Sequence, residues 1–464
     1  LKARRHGRVF EVERARPRMA RSRGVVAVLV FFGVAANVAS QGADWKEDAV
    51  RSREVLLAVE RAVCANATPS DDRSEALLLL GIAVLLPLAF MLSVEKSTAM
   101  TAWPMLEQFM AIFLAASWFA GVNEFVPSTT PSTAMHLVLA YNSMLVALWL
   151  LRGQPRLAGA LCAIASHYVS FAAMKTSATL QEEFFSESVG AASLCSVLVI
   201  VVAVAVFYAK DALGSRLLGG DAAAEEAEAL DEWTELTDDL GWDVAGMSLA
   251  LTSMQTINMF VFGTLGSLEE GTGFVEDVSQ GTFSLVAAMC FTCVDAAAST
   301  LLRPVLHPSS GECKLNIVQR SLAHVLHNTI TMCAAWGYLS MSKFAVLYRS
   351  DPGQSRSTVT MLTALFCSAK SIVVIIVLSI VLRYLDEKEY QGIAAFAKRL
   401  LRATALVSAW AWEAAFDAAF DKGLVEEVYQ LGMVFLLSLV LVPIYVLYLR
   451  PTSERHKSPS VKQD

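Results

Sequence analysis

Apolar residues dominate this chain in blocks of about twenty, the length that carries an α-helix across a lipid bilayer. Short polar stretches separate the blocks from about Glu75 to Leu449. The first block, about Glu75–Val94, stands alone, and a two-block unit then recurs over 99–152, 156–209, 244–302, 317–382 and 394–449. The pattern predicts an all-α fold, a polytopic bundle of about eleven transmembrane helices. Its last ten helices form five hairpins alike in hydropathy and polar placement, the mark of a stacked or pseudo-symmetric assembly.

Polar side chains interrupt these blocks unevenly. The segment Arg402–Asp421, RATALVSAWAWEAAFDAAFD, carries Glu413, Asp417 and Asp421 four residues apart, which stacks three carboxylates on one helix face. A charge near a bilayer centre costs roughly 2.5–3.5 kcal/mol on insertion scales, so such groups face a bundle interior or a wet cavity. The first helix of each hairpin holds most of the intruders: Glu107 and Gln108, His167 and Lys175, Gln255 and Asn258, His324, His327 and Asn328, then Glu413 and Asp417. The second helices are more apolar, with Asn142, Asp295 and Lys370 as exceptions. If the first helices share an axis, their polar groups ring it near mid-membrane. Glu413 and Asp417, one turn apart, repel as like charges and so favour holding a proton or sharing a cation. Structural ties are the competing expectation: Lys175 with Glu413 or Glu107, and Lys370 with Asp295.

The ends and loops predict an orientation. Residues 1–18 read as untranslated or precursor sequence, and 19–40 as a cleaved signal peptide, with a basic start at Arg21 and Arg23 and an apolar Gly24–Val38 run. Residues 41–74 are polar and carry the glycosylation sequon Asn66-Ala-Thr68. Alternate loops hold the Lys and Arg, as in Arg152 and Arg156, Lys210 and Arg216, Arg303, Lys314 and Arg320, and Arg383, Lys388 and Lys398. The intervening tips, such as QEEFFSES and DKGLVEE, are acidic. Arg349 and Arg356 break the alternation. By the positive-inside rule the mature N-terminus is lumenal or extracellular, and the tail 450–464 is cytoplasmic. That places the protein in the plasma membrane or an endomembrane of the secretory route. Residues 211–243 form the one long inner loop, acidic, between spans 75–210 and 244–449. Leu230, Trp233, Leu236 and Leu240 recur there at helical spacing, which fits a solvated linker helix or a contact with the bundle or a cytoplasmic partner.

Composition narrows the chemistry further. The 464 residues are 55% hydrophobic and 17% charged, with a net charge of -7 and no basic aromatic-rich patch, which excludes nucleic acid as a partner. Most of the eight cysteines lie within apolar blocks, where they act as small hydrophobes, and Cys290-Phe-Thr-Cys293 lacks a second ligand pair. His324 and His327 are spaced to share a metal, but only His167 offers a third ligand, so hydrogen bonding or proton relay is the stronger reading and no cofactor is expected. The tryptophans read as interface anchors or packing groups, and the Gly263–Gly266 stretch as a close-packing position. Walker, intramembrane-protease, voltage-sensor and potassium-filter signatures are absent. The expected function is a permease for a small solute or cation, with lipid as its surroundings and Glu413, Asp417, Glu107, Lys175, His167, His324 and His327 as site residues. A non-transporting scaffold or receptor-like protein and an intramembrane lipid-modifying enzyme are the rivals.

Overall fold

The computed structural model describes residues 96–218, 224–265, 278–301, 317–347, 356–384, 391–420 and 427–457. The expected signal peptide, the sequon at Asn66 and the first span at 75–94 lie outside these residues. So do the side chains of Glu413 and Asp417, although both positions fall within a described helix. The described residues belong to one compact unit.

Those residues contain helices and turns and no strand. In chain order the helices are α1 (Lys96–Asn123), α2 (Thr130–Leu150), α3 (Pro155–Phe184), α4 (Val189–Leu218), α5 (Ala224–Phe262) and α6 (Val278–Leu301). There follow α7 (Ile317–Leu347), α8 (Arg356–Tyr384), α9 (Gln391–Phe420) and α10 (Glu427–Ile444), then a π-turn (Tyr445–Leu449) and α11 (Arg450–Lys457). Among the described residues, seven helices are long and apolar enough to cross a membrane: α1 to α6, and α10 with its continuation. Prolines sit at the first turns of α2 and α3, where a missing N–H costs nothing. Pro451 lacks the N–H that would return to the Leu447 carbonyl, and the ladder changes register there. The Arg450 N–H instead reaches Tyr445 O, five residues back.

Packing sorts the helices into two layers. Helix α1 packs on α3, α3 on α5, α5 on α7, α7 on α9, and α9 on α1, which closes a ring of five. Each remaining long helix lies outside, mainly against the next ring member: α2 on α3, α4 on α5, α6 on α7, α8 on α9, and α10 back on α1. Burial follows the layers, since 72% of the apolar window is buried in α1 and α3 but 17% in α2, α4 and α6. The outer helices present unbroken apolar stripes, such as Leu194, Val197, Val201 and Val202 on α4 or Phe435, Leu436, Leu439 and Val440 on α10. Stripes of that extent fit contact with lipid, consistent with a polytopic membrane protein.

The ring helices all run one way. Cys162 Sγ meets Leu236 O, and further on Gln181 Nε2 donates to Thr252 O and Thr256 Oγ1, which sets α3 parallel to α5. Asn328 Nδ2 donating to Asp243, and Cys333 Sγ meeting Ala250 O, do the same for α5 and α7. Helix α8 runs against both α7 and α9. Its Lys370 reaches Tyr338 O while Cys367 lies beside Lys343, and its Ser371 and Ser368 meet Ser408 and Trp412. Small residues let the seams close. A Cβ on Gly337 of α7 would stand 2.8 Å from Ala288 Cβ and 3.0 Å from Ser284 O of α6.

One expectation gains detail here and one is corrected. Residues 224–243 within the acidic inner segment form the N-terminal half of α5, in line with the helical spacing read there, and their acidic side chains suit the helix dipole. The Leu/Trp stripe of that half docks on the bundle: Trp233 and Leu240 are buried against α2 and α3, and the Trp233 indole N–H donates to Leu145 O. Among the described residues, nothing lies within 4 Å of where a Cβ on Gly263 would stand. Its φ of 76° and its N–H to Met259 O make it the left-handed residue that ends α5.

Candidate functional site

The polar residues of the ring helices are buried, but the described contacts send them to different seams. Glu107, 7% exposed, accepts a 2.7 Å hydrogen bond from Ser453 Oγ of α11. Arg450, at the start of α11, donates to Gly159 O of α3 and through Nε to Glu454. The C-terminal helix is thereby tied across the N-terminal ends of α1 and α3. His167 accepts from Gln108 Nε2 at 2.8 Å, in the seam of α1 and α3.

His324 and His327 do not converge. His324 lies flat on Trp242 of α5, with ring centroids 3.8 Å apart and planes 3° from parallel. His327 Nε2 sits 3.1 Å from Asp295 Oδ1 of the outer helix α6, and Thr331 Oγ1 donates to the same oxygen at 2.8 Å. No cluster of three or more metal-ligating side chains occurs among the described residues. The partner of Asp295 thus differs from the ammonium expected for it, because Lys370 points into α7 and binds Tyr338 O and Ser342 Oγ.

Lys175 is 7% exposed on α3, two turns beyond His167. At 1.5 Å per residue that is about 12 Å along the axis from the level of Glu107 and Gln108, so register separates Lys175 from Glu107. A different pairing fits the register. Phe171 and Trp410 meet with centroids 6.0 Å apart on the parallel helices α3 and α9. One turn further along each helix comes Lys175 on α3 and position 413 on α9, with position 417 a turn beyond that.

The contact between Phe171 and Trp410 also matters because α3 and α9 are not neighbours in the ring. Trp410 reaches across the ring to Phe171 while its other side lies 4.0 Å, centroid to centroid, from Trp336 of α7. Phe119 of α1 backs Phe171 at 5.8 Å. Aromatic side chains therefore fill the ring interior at this level. The Lys175 position lies on its C-terminal side, and Gln108 and His167 on its N-terminal side. Sequence reasoning treats these tryptophans as anchors or packing groups. Nothing in apolar blocks distinguishes an aromatic that crosses the interior from one in a seam. No protein-family model, curated protein or solved structure matches the chain, and its function rests on this geometry.

Proposed function

We propose that this protein is an integral membrane permease for a small solute or cation, with the five-helix ring enclosing the pathway. Lys175 supplies buried positive charge on α3, and Glu413 and Asp417 supply the carboxylates of the coupling or cation site on α9. The observation that carries the reading is a closed ring of parallel helices, with a buried lysine on one member and two acidic positions at a neighbouring height on another. A buried ammonium in a membrane helix persists where an opposite charge or a wet cavity meets it.

The reading includes eleven spans after a cleaved signal peptide, with Asn66 glycosylated on the lumenal or extracellular side. Parallel ring helices support this orientation, because they gather the Lys- and Arg-rich connections at one end of the bundle. A helix-docked acidic segment, 224–243, then lies on the cytoplasmic face, where a partner could read its exposed carboxylates. A scaffold is the second reading. It draws on contacts at Glu107, Asp295 and Asp243, each met by a hydroxyl, imidazole or amide. The enzyme reading loses ground because its two histidines face different helices.

Ion and proton flux in sealed proteoliposomes tests the proposal. Wild type should carry flux that a folded Glu413→Gln, Asp417→Asn double variant loses. Absence of any flux, with the variant markedly less stable, would return the carboxylates to the role of structural ties.

A further inference from the structure

We infer that Phe171, Trp336 and Trp410 form the closed constriction of the ring, with Trp410 as the residue that links the other two; the inference rests on the permease reading. The three side chains are 5%, 4% and 6% exposed and come from three ring helices. Trp410 links the other two, by contacts of 6.0 Å to Phe171 and 4.0 Å to Trp336. A narrow apolar segment excludes water and ions by dewetting, without any bulky lid. The residues on either side differ in kind from the constriction: Gln108 and His167 lie before it, and Lys175 after it.

The closed arrangement is not fully satisfied. The Trp336 indole N–H is buried and has no hydrogen-bond partner among the described residues. An unmet donor of this kind is a cost of the closed state that water or a solute acceptor would remove on opening. The constriction separates two compartments of the pathway. Gln108 and His167 lie towards one end of the ring from it, and Lys175 towards the other.

Passive flux of sodium and of protons in sealed proteoliposomes, measured for the full chain, tests this. Trp410→Ala should raise leak about ten-fold or more over wild type, and Trp410→Phe, which keeps an aromatic plug, should not. Phe171→Ala serves as the second variant should Trp410→Ala fail to fold. If wild type transports and the folded alanine variants leak no more than it does, the constriction is wrong and the permease reading stands. If wild type and folded alanine variants are all silent, the ring holds no pathway and both readings fall.

Discussion

Asp295 and His327 face each other at 3.1 Å across the seam of α6 and α7, and Thr331 holds the same carboxylate oxygen. All three are nearly inaccessible, so the pair works as one unit in a medium that penalises any uncompensated charge. Leaving a buried polar group without its partner costs about 1–3 kcal/mol. Asp295→Ala should therefore lower the denaturation midpoint in detergent far more than the double change Asp295→Ala, His327→Leu, which leaves no orphan. Equal losses in the two variants would contradict the coupling.

The glycine contacts of α7 make a second prediction. Gly337 lies where a side chain would meet Ala288 Cβ and Ser284 O, and neither a helix backbone nor a Cβ can swing away. Gly337→Val should part α6 from α7 and cost about 1–3 kcal/mol, read as reduced folded yield and a lower thermal midpoint. Gly246→Val should behave alike, since its Cβ would stand 2.8 Å from Asn328 Cβ. Gly432, with open space around it, should tolerate Ala with little change.

Cysteine reactivity should follow the two layers. Cys290 and Cys293 are exposed on α6, while Cys162, Cys195, Cys333 and Cys367 are buried. Among these six described cysteines, a membrane-partitioning maleimide should label the α6 pair first, with the four buried ones reacting only on unfolding, as mass spectrometry of the peptides would show. Early labelling of Cys333 or Cys367 would contradict the packing of α7 and α8.

The C-terminal tie is the fourth test. Ser453 is fully buried and donates to Glu107, so Ser453→Ala leaves a buried carboxylate short of a donor. The expected loss is about 1–3 kcal/mol, with Ser453→Thr largely sparing stability. An unchanged midpoint for Ser453→Ala would detach α11 from the account.

Much of the architecture was legible in the chain, and the reasons are physical. Blocks of about twenty apolar residues set helix lengths, so 156–209 anticipates α3 and α4 closely. The concentration of polar groups in alternate helices marks the members that come to lie inside, because the outer helices meet apolar surroundings on most of their faces. What a polar side chain touches was less accessible. His324 and His327 are neighbours in sequence count, yet three residues rotate them enough to face α5 and α6 respectively. Helical spacing of Leu230, Trp233, Leu236 and Leu240 marked the start of α5 as a helix, but acidity left open whether its stripe met solvent, a partner or the bundle, which the buried Trp233 decides. Trp410 gave no sign at all of crossing the ring.

Side-resolved water access to the ring interior decides between a pathway and a dry core. Ile164, half-buried, and Ala178, buried in this closed arrangement, lie on the same face of α3 as Phe171, two turns before it and two turns after it, so a reagent meets Ala178 only as the ring interior opens. In a cysteine-depleted background, Ile164→Cys and Ala178→Cys can be treated in intact vesicles with a membrane-impermeant thiol reagent. A ring that encloses a pathway, closed at Trp410, predicts that the first reacts from the cytoplasmic side only and the second from the opposite side only. If neither cysteine reacts from either side in the folded protein, the ring is a dry core and the permease account is wrong.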